Sequence, residues 1–257
     1  MKYSRAYVKK KLNKFDIECS YTESSKVGIT INNRIPNNNL IKIKSDMFEV
    51  QDEGSQLMTL LIGVQNNMKV LDMCAGKGTK TILIYNLLKS QCSITAFDKK
   101  KERLDVFKTR VKELKLKNIN FDFDLESHDH FDLILCDVPC SGTGTWRRRP
   151  ENMVWLKKEE LDELKKNQNS ILYQAAKLCK KGGRIVYITC SLLYDENELQ
   201  IKNFLIKNQK FNMINFKEYT KKYFKKEILK YNKYGLTLNP DTLNTDGYFI
   251  SILKKIA

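Results

Sequence analysis

Residues 70–81 read VLDMCAGKGTKT, a short apolar run followed by a glycine-bearing turn and the first residues of a helical pattern. An apolar run that enters such a turn is typical of a buried strand. From Gly54 onward, short apolar strands continue to alternate with helical segments. Alternation at this spacing predicts an α/β fold with a doubly wound, mostly parallel sheet and helices on both faces.

Acidic residues close several of the predicted strands. The second, third and fourth strands of this series end at Asp98, Asp124 and Asp137, and further strands are predicted over 184–188 and 248–253. Ligand sites form beyond the carboxyl ends of the strands in a parallel sheet. The candidate site residues are therefore expected at this edge of the sheet.

The turn after the first strand predicts a site for an adenosine-containing ligand. Asp98 lies 20 positions after Gly78, near the spacing at which an acidic residue binds ribose hydroxyls, and Asp124 is expected to meet an adenine amino group. The turn matches neither the P-loop nor the GxGxxG pattern, and S-adenosylmethionine fits instead. A helix cap or a solvated strand end is the alternative interpretation of each aspartate. The residues predicted to bind this cofactor are Cys74, Ala75, Gly76, Lys77, Gly78, Thr79, Lys80, Asp98, Asp124 and Asp137.

Two cysteines, Cys140 and Cys190, each closely follow a predicted strand. They stand in the segments DVPCSGTG (137–144) and YITCS (187–191), fifty positions apart. Neighbouring strand ends of a parallel sheet lie side by side, so the pair indicates covalent chemistry by a thiol nucleophile. The alternative is that both are ordinary small buried residues, since free cysteine is among the most buried residue types.

The chain has 257 residues, 42% of them hydrophobic and 30% charged, which is enough for one large domain and a modest extension. We predict a short basic extension over 1–47 that contacts RNA, and a catalytic domain over 48–257. No run approaches the ~20 apolar residues of a membrane helix, and residues 1–7 lack the apolar stretch of a secretory signal. Seven cysteines without close CxxC pairing predict reduced thiols and a cytoplasmic location.

Lysine plus arginine total 46 against 30 aspartate plus glutamate, a formal net charge of +16. Such an excess predicts a field that attracts polyanions, above all nucleic acid. The alternative explanation of the positive charge is a drift of the composition towards lysine and asparagine. An acidic membrane surface is the lesser possibility, because no basic amphipathic helix with a broad apolar face stands out. The only histidines, His128 and His130, lie in a polar loop away from any closely spaced cysteine pair, so no metal site is expected.

Five ordered segments resemble the motifs of one known family, the RNA cytosine-carbon-5 methyltransferases of the RsmB/NOP (Sun) type. The similarity runs from about Phe48 to Leu253. The chain departs from the family in its cofactor turn, where residues 76–79 read GKGT after Ala75 instead of the usual Ala-Pro-Gly-Gly pattern, and in its short amino-terminal extension. The segments that carry the resemblance are VQDEGSQL (50–57), VLDMCAGKGTKT (70–81), DVPCSGTG (137–144) with RRRPE (147–151), TCS (189–191) with ENE (196–198), and DGYF (246–249).

The resemblance implies a Rossmann-like class I methyltransferase with a seven-stranded sheet, S-adenosylmethionine as cofactor and RNA as substrate. Carbon 5 of cytosine is too poor a nucleophile to take a methyl group unaided, and a thiolate added to carbon 6 makes the ring an enamine that can attack the methyl sulfonium. The resemblance implies that Cys190 is this nucleophile and that Cys140 assists removal of the carbon-5 proton and release. Asp137 is expected to hydrogen-bond ring nitrogen 3 and the amino group. Lys80 is expected to orient the base or the cofactor.

The target base must leave its stack to reach such a site, which favours a loop or a locally opened helix in RNA. Arg147, Arg148 and Arg149 are candidates for holding the phosphates beside that base, with a solvated basic loop as the alternative. Ribosomal RNA is favoured over transfer RNA by the resemblance alone, and a monomer is expected. Two rival hypotheses are a DNA cytosine methyltransferase that uses Cys140 as nucleophile and an inactive RNA-binding protein, which the altered turn at Lys77 motivates.

Overall fold

The computed structural model describes residues 3–32, 48–88, 91–125, 130–220 and 230–257. His128 and residues 33–47 of the predicted extension lie outside this part of the chain. The strands are β1 (Cys19–Tyr21), β2 (Ile29–Ile31), β3 (Lys69–Asp72), β4 (Ser93–Ala96), β5 (Ile119–Phe121), β6 (Phe131–Asp137), β7 (Cys179–Thr189), β8 (Phe211–Met213), β9 (Lys230–Asn232), β10 (Gly235–Leu238) and β11 (Tyr248–Lys255). The α-helices are α1 (Arg5–Asn13), α2 (Glu53–Leu61), α3 (Thr79–Leu87), α4 (Lys101–Glu113), α5 (Asn152–Trp155), α6 (Lys158–Leu178), α7 (Glu198–Lys207), α8 (Phe216–Thr220) and α9 (Pro240–Leu243). None of these helices is long and apolar enough to cross a membrane.

One large sheet has the strand order β5-β4-β3-β6-β7-β11-β10-β9, and β8 pairs with the second half of β11. The strands from β3 to β7 pair in parallel, and β11 runs antiparallel beside β7. The predicted α/β fold with a mostly parallel core is confirmed. In the described part of the chain the sheet has nine strands rather than seven, because the hairpin β9–β10 adds to the first half of β11.

Two strand boundaries differ from the sequence expectation. Strand β5 ends at Phe121, so Asp124 lies in the loop beyond the strand rather than at its end. Strand β7 begins at Cys179 and includes Gly182 and Gly183, which the sequence predicts as the end of the preceding helix. A register shift in the pairing of β6 with β7 accommodates the extra residues, and Gly182 has a φ of +78°, where glycine is favoured.

Strand β6 is buried on both faces of the sheet. Leu133 and Leu135 pack into one hydrophobic cluster, together with side chains from α2 and α3. Ile134 and Cys136 pack into a second cluster, with side chains from α6 and α7. Side chains alternate across a strand, so a strand covered by helices on both faces must be apolar throughout. This explains the unbroken apolar run before Asp137.

Residues 3–32 form a small unit in which α1 packs on the β1–β2 hairpin. Its own apolar cluster consists of Val8, Leu12, Ile17 and Cys19. The unit is attached to α2, because the main-chain N–H groups of Ser24 and Ser25 donate to the Glu53 carboxylate at 2.7 and 2.8 Å. The Ser25 hydroxyl also donates to Gln56 at 2.7 Å. The division of the chain at residue 47 stays a prediction.

Candidate active site

The carboxyl ends of β3, β6 and β7 meet at one edge of the sheet. In the strand register, Asp72 pairs with Leu135 and Asp137 pairs with Ile188. The turn after β3 and the loops after β6 and β7 therefore leave the sheet side by side. These segments carry the predicted cofactor turn and the two candidate catalytic cysteines.

The structure brings Cys140 and Cys190 together, with 3.4 Å between their Sγ atoms. Both side chains are half-buried. Their loops are joined by a hydrogen bond from the Gly144 N–H to the Cys190 carbonyl at 2.9 Å. A Cβ at Gly144 would lie 2.2 Å from the carbonyl oxygen of Gly247, so only glycine fits at position 144. The pairing of β6 with β7 thus brings together two cysteines that are fifty positions apart in the sequence.

The two thiols differ in their acidity. The pKa of Cys190 is lowered by the hydrogen bond from Cys140 and by the charge of Lys80, against the effects of burial and of Asp137. The pKa of Cys140 is raised well above its usual range by the same hydrogen bond, by burial and by the Cys190 charge. Cys190 is therefore the thiol that ionises first, and Cys140 keeps its proton and donates. Nucleophilic attack requires a thiolate.

Lys80 and Asp137 form an ion pair beside the cysteines, with 2.6 Å between Nζ and Oδ2. Burial disfavours the charge on Lys80, but the charge and hydrogen bond of Asp137 outweigh that effect and raise the pKa of Lys80. Lys80 thus remains an ammonium group at neutral pH, and its field favours the thiolate form of Cys190. The sequence assigned Lys80 an orienting role, and the structure adds this electrostatic one.

The turn between β3 and α3 depends on two glycines. Gly76 and Gly78 have φ values of +54° and +83°, in the left-handed region. A Cβ at Gly78 would lie 2.1 Å from the ring of Phe107, whereas a Cβ at Gly76 would meet nothing within 4 Å. The Asp98 carboxylate stabilises the turn, because it accepts hydrogen bonds from the N–H groups of Gly76 at 2.9 Å and Lys100 at 2.8 Å. Open space beside Gly76 therefore adjoins a buried acidic group.

The other predicted cofactor residues lie in varied surroundings. Cys74, Thr79 and Lys80 are half-buried, Ala75 is buried, and Lys77 and Asp124 are exposed. The lysine that departs from the family pattern is thus directed to solvent, while its main-chain carbonyl accepts a hydrogen bond from Arg110. The roles of these residues in cofactor binding stay predictions.

Asp72 is a buried acid that the sequence motifs contain but do not distinguish. Its Oδ2 accepts a hydrogen bond from the Thr81 hydroxyl at 2.6 Å, and its Oδ1 accepts one from the Cys74 N–H at 3.3 Å. Burial raises the pKa of Asp72 from 3.8 to about 7, the charge of Asp137 adds to this effect, and the Thr81 hydrogen bond opposes it. The carboxyl group is therefore half-protonated near neutral pH.

We expect Asp72 to make the protein less stable as the pH rises from about 4 to about 7. Over this range the unfolded chain has lost the Asp72 proton while the folded chain still holds it, so the favourable contribution of the neutral carboxyl is complete below about pH 4 and is lost by about pH 7. A pKa difference of about three units corresponds to about 4 kcal/mol. Urea unfolding of the native protein and of Asp72→Asn, repeated across this range, measures the effect. Equal pH slopes for the two proteins would contradict it.

The basic segment after Cys140 belongs to an ion-pair network within the protein. Asp246 is fully buried and accepts hydrogen bonds from Arg147 Nε at 3.0 Å and from Arg148 Nε at 2.9 and 2.8 Å. Arg147 also lies 3.4 Å from Asp52, which caps α2. Arg149 is exposed, and no ion pair joins it to another residue in the described ranges. Two of the three predicted phosphate-binding arginines thus have structural partners that the sequence patterns did not identify.

Comparison with known proteins relates the chain to one family. The family model described as 16S rRNA methyltransferase RsmB/F matches residues 58–254. A curated protein of Bacillus subtilis (strain 168), named probable ribosomal RNA small subunit methyltransferase B, is 32% identical over 214 residues, which are 80% of this chain and 47% of the relative. The chain spans about half the length of the curated relatives that it matches.

Solved structures share the fold over nearly the whole chain. The crystal structure of PH0851 superposes with a TM-score of 0.88 and 25% identity, covering 98% of this chain and 57% of the other. A methyltransferase homologue from Pyrococcus horikoshii gives a TM-score of 0.78 with 24% identity, covering 99% of this chain and 83% of the other. The Rossmann-like methyltransferase fold that the resemblance implies is confirmed.

Proposed function

We propose that this chain, which belongs to the 16S rRNA methyltransferase RsmB/F family, transfers a methyl group from S-adenosylmethionine to carbon 5 of a cytidine in RNA. The observation that carries the proposal is the pair of sulfur atoms 3.4 Å apart at the carboxyl edge of the sheet. One thiol of this pair favours the thiolate and the other retains its proton. A thiolate supplies the nucleophile for covalent catalysis, and a neighbouring thiol that keeps its proton stabilises the thiolate by a hydrogen bond.

Residues of the chain account for the covalent steps. The Cys190 thiolate adds to carbon 6, forming a carbon–sulfur bond and making carbon 5 electron-rich, while Asp137 accepts hydrogen bonds from the protonated ring nitrogen 3 and the amino group. After methyl transfer, water takes the carbon-5 proton, and Cys140 assists this loss by donating its hydrogen bond to the departing Cys190 sulfur. The electron pair of that C–H bond restores the ring double bond as the carbon–sulfur bond breaks. Cys190 leaves as a thiolate, and the hydrogen bond from Cys140 stabilises it.

The cofactor turn fits S-adenosylmethionine, which supplies an electrophilic methyl group on a cationic sulfur. The open space beside Gly76 gives a ligand access to the main chain of the turn. Asp98 is buried and accepts a hydrogen bond from the Gly76 N–H, and an acidic group favours a cationic ligand. We assign the holding of the cofactor to the turn from Cys74 to Lys80, together with Asp98 and Asp124.

RNA is the proposed partner, and the small amino-terminal unit supports this choice. A shallow concave surface on α1 is lined by Ala6, Lys9, Lys10, Asn13 and Lys14. Two apolar residues of α1, Val8 and Leu12, are buried in the interior of the unit. Tyr21 is exposed beside the helix, with Arg5 and Lys9 at 4.3 and 4.8 Å from its ring centre. Exposed cations and rings are the groups that single-stranded RNA contacts.

We expect the α1 surface to contribute directly to RNA affinity. Replacing Lys9, Lys10 and Lys14 together by glutamate should raise the Kd for a small-subunit rRNA fragment by at least about tenfold at 0.1 M salt and lower the slope of log K against log salt by about two to three. Filter binding across a salt series measures both quantities. The same charge change on exposed lysines of α6 is the control, made at Lys158, Lys166 and Lys177. Equal losses for the two triple variants would reject a specific role for α1.

The proposed activity is tested with unmodified small-subunit rRNA, a DNA of the same sequence and S-adenosylmethionine carrying a labelled methyl group. We expect label in RNA alone, at cytidines that resist bisulfite conversion. Label in DNA would favour the DNA methyltransferase hypothesis. No binding of S-adenosylmethionine by calorimetry would favour the inactive RNA-binding protein. The preference for ribosomal over transfer RNA, a cytoplasmic location and a monomeric state also stay predictions.

A further inference from the structure

A buried carboxylate lies behind the loop that carries Cys140. Glu196 is fully buried at the end of a short 3-10 helix that follows β7. Its Oε1 accepts hydrogen bonds from the Ser141 N–H and from Gln168 Nε2, each at 2.9 Å. Its Oε2 accepts a close hydrogen bond from the Ser141 hydroxyl. No ion pair joins Glu196 to a cation in the described part of the chain, so hydrogen bonds alone satisfy this buried charge.

These hydrogen bonds fix Cys140 from both sides. Ser141 follows Cys140 and is held by Glu196 through its N–H and its hydroxyl. Pro139 precedes Cys140, and its carbonyl accepts a hydrogen bond from Gln168 at 2.9 Å. Gln168 donates to Glu196 as well, so one buried carboxylate and one buried amide hold the three-residue segment. The main chain at Cys140 therefore cannot move without breaking buried hydrogen bonds.

Glu196 is itself anchored to the strand that leads to Cys190. The Tyr187 hydroxyl, on β7, donates to the main-chain carbonyl of Glu196 at 2.7 Å. The next residue, Asn197, accepts a hydrogen bond from the Thr189 hydroxyl at 2.6 Å and donates to the Ser191 carbonyl at 2.8 Å. The loop of the first cysteine is thus positioned relative to the strand end of the second.

We propose that Glu196 is a positioning residue that holds the Cys140 thiol against the Cys190 sulfur and thereby sets the rate at which methylated RNA is released from its covalent adduct. This inference rests on the proposed function. It assigns to Glu196 a direct effect on release, because Glu196 contacts the segment of Cys140 and not the Cys190 side chain. The first attack changes only through the hydrogen bond by which Cys140 lowers the pKa of Cys190. The charge of Glu196 is also one of the influences that keep the pKa of Cys140 high, after its hydrogen bond to Cys190, burial and the Cys190 charge.

The test compares adduct formation with adduct release in Glu196→Gln. This substitution keeps the side-chain volume and removes the charge and one acceptor. At a pH high enough to ionise Cys190 in both proteins, we expect the adduct to form on mixing with RNA and S-adenosylmethionine within about twofold of the native rate, and its half-life on denaturing gels to increase at least about tenfold. Glu198→Gln is the matched control, since Glu198 contacts Asn232 at 2.6 Å and not the cysteine loop. The control should release RNA at the native rate.

Three outcomes would overturn the inference. A folded Glu196→Gln with a native adduct half-life rejects the inference. So does a folded Glu196→Gln that forms no adduct even at this high pH, because Glu196 would then act directly on Cys190. If Glu196→Gln does not fold, Ser141→Ala, which deletes only the hydroxyl donor, must lengthen the half-life, and a native value rejects the inference. Cys140→Ala serves as the reference for the function itself. If it forms no adduct with RNA, the proposed covalent mechanism fails, whatever Glu196 does.

Discussion

Replacing Cys190 by alanine is expected to abolish methyl transfer to RNA and to prevent any covalent adduct. Without its sulfur, carbon 6 of the cytosine receives no nucleophile and carbon 5 stays unreactive, so the rate should fall by at least about 10⁴-fold, within the range found when a covalent nucleophile is removed from an enzyme. Single-turnover transfer of a labelled methyl group, together with denaturing gels of the RNA–protein mixture, measures both effects.

The control for this substitution is Cys92→Ala. Cys92 is buried in the main core directly before β4, whereas Cys140 and Cys190 lie in the loops that follow β6 and β7, so its loss should cost some stability and no activity. An adduct formed by Cys190→Ala would show that the roles of the two cysteines are exchanged, and the assignment of the nucleophile would then be wrong.

Replacing Cys140 by alanine is expected to give the opposite phenotype, a covalent RNA adduct that accumulates. No bond forms to the Cys140 sulfur during attack by Cys190, whereas release is expected to need the assistance of Cys140. The first methyl transfer should proceed while multiple turnover falls by about 10²–10⁴-fold, the usual range for losing a group that assists proton transfer. Denaturing gels after one and after many enzyme equivalents of RNA separate the two phases.

The same substitution should also change the pH dependence of attack. The hydrogen bond from Cys140 is the largest influence that lowers the pKa of Cys190. Removing the donor raises the pKa of Cys190, so adduct formation should require a higher pH than in the native protein. Native turnover by Cys140→Ala, or an unchanged pH profile of adduct formation, would contradict the assignment of Cys140 as the hydrogen-bond donor to Cys190.

Most of the sheet and the location of the site could be predicted from sequence because both depend on local patterns. Residues 133–136, directly before Asp137, are all apolar, which indicates a strand covered on both faces, and the two cysteines closely follow such runs. The short strands β8, β9 and β10 have no comparable apolar run and form by pairing with β11. Their pairing depends on tertiary context, so the sequence-based strand count was too low.

The partners of the charged groups could not be predicted in this way. The ion pair between Arg148 and Asp246 joins residues 98 positions apart, and no periodicity relates them. The hydrogen bond between Ser141 and Glu196 spans 55 positions. The sequence showed that these segments resemble the motifs of one family, but which carboxylate meets which donor is decided by how the loops after β6, β7 and α9 pack together. The three adjacent arginines therefore resembled a single phosphate-binding cluster.

The difference in acidity among the thiols has a practical consequence for chemical modification. All seven cysteines are free, and the pKa is raised for every one of them except Cys190. Alkylating reagents react with the thiolate, so at neutral pH a small electrophile such as iodoacetamide will label Cys190 ahead of the other six. Cys190 is thus the preferred attachment point for a fluorescent reporter or a covalent inhibitor.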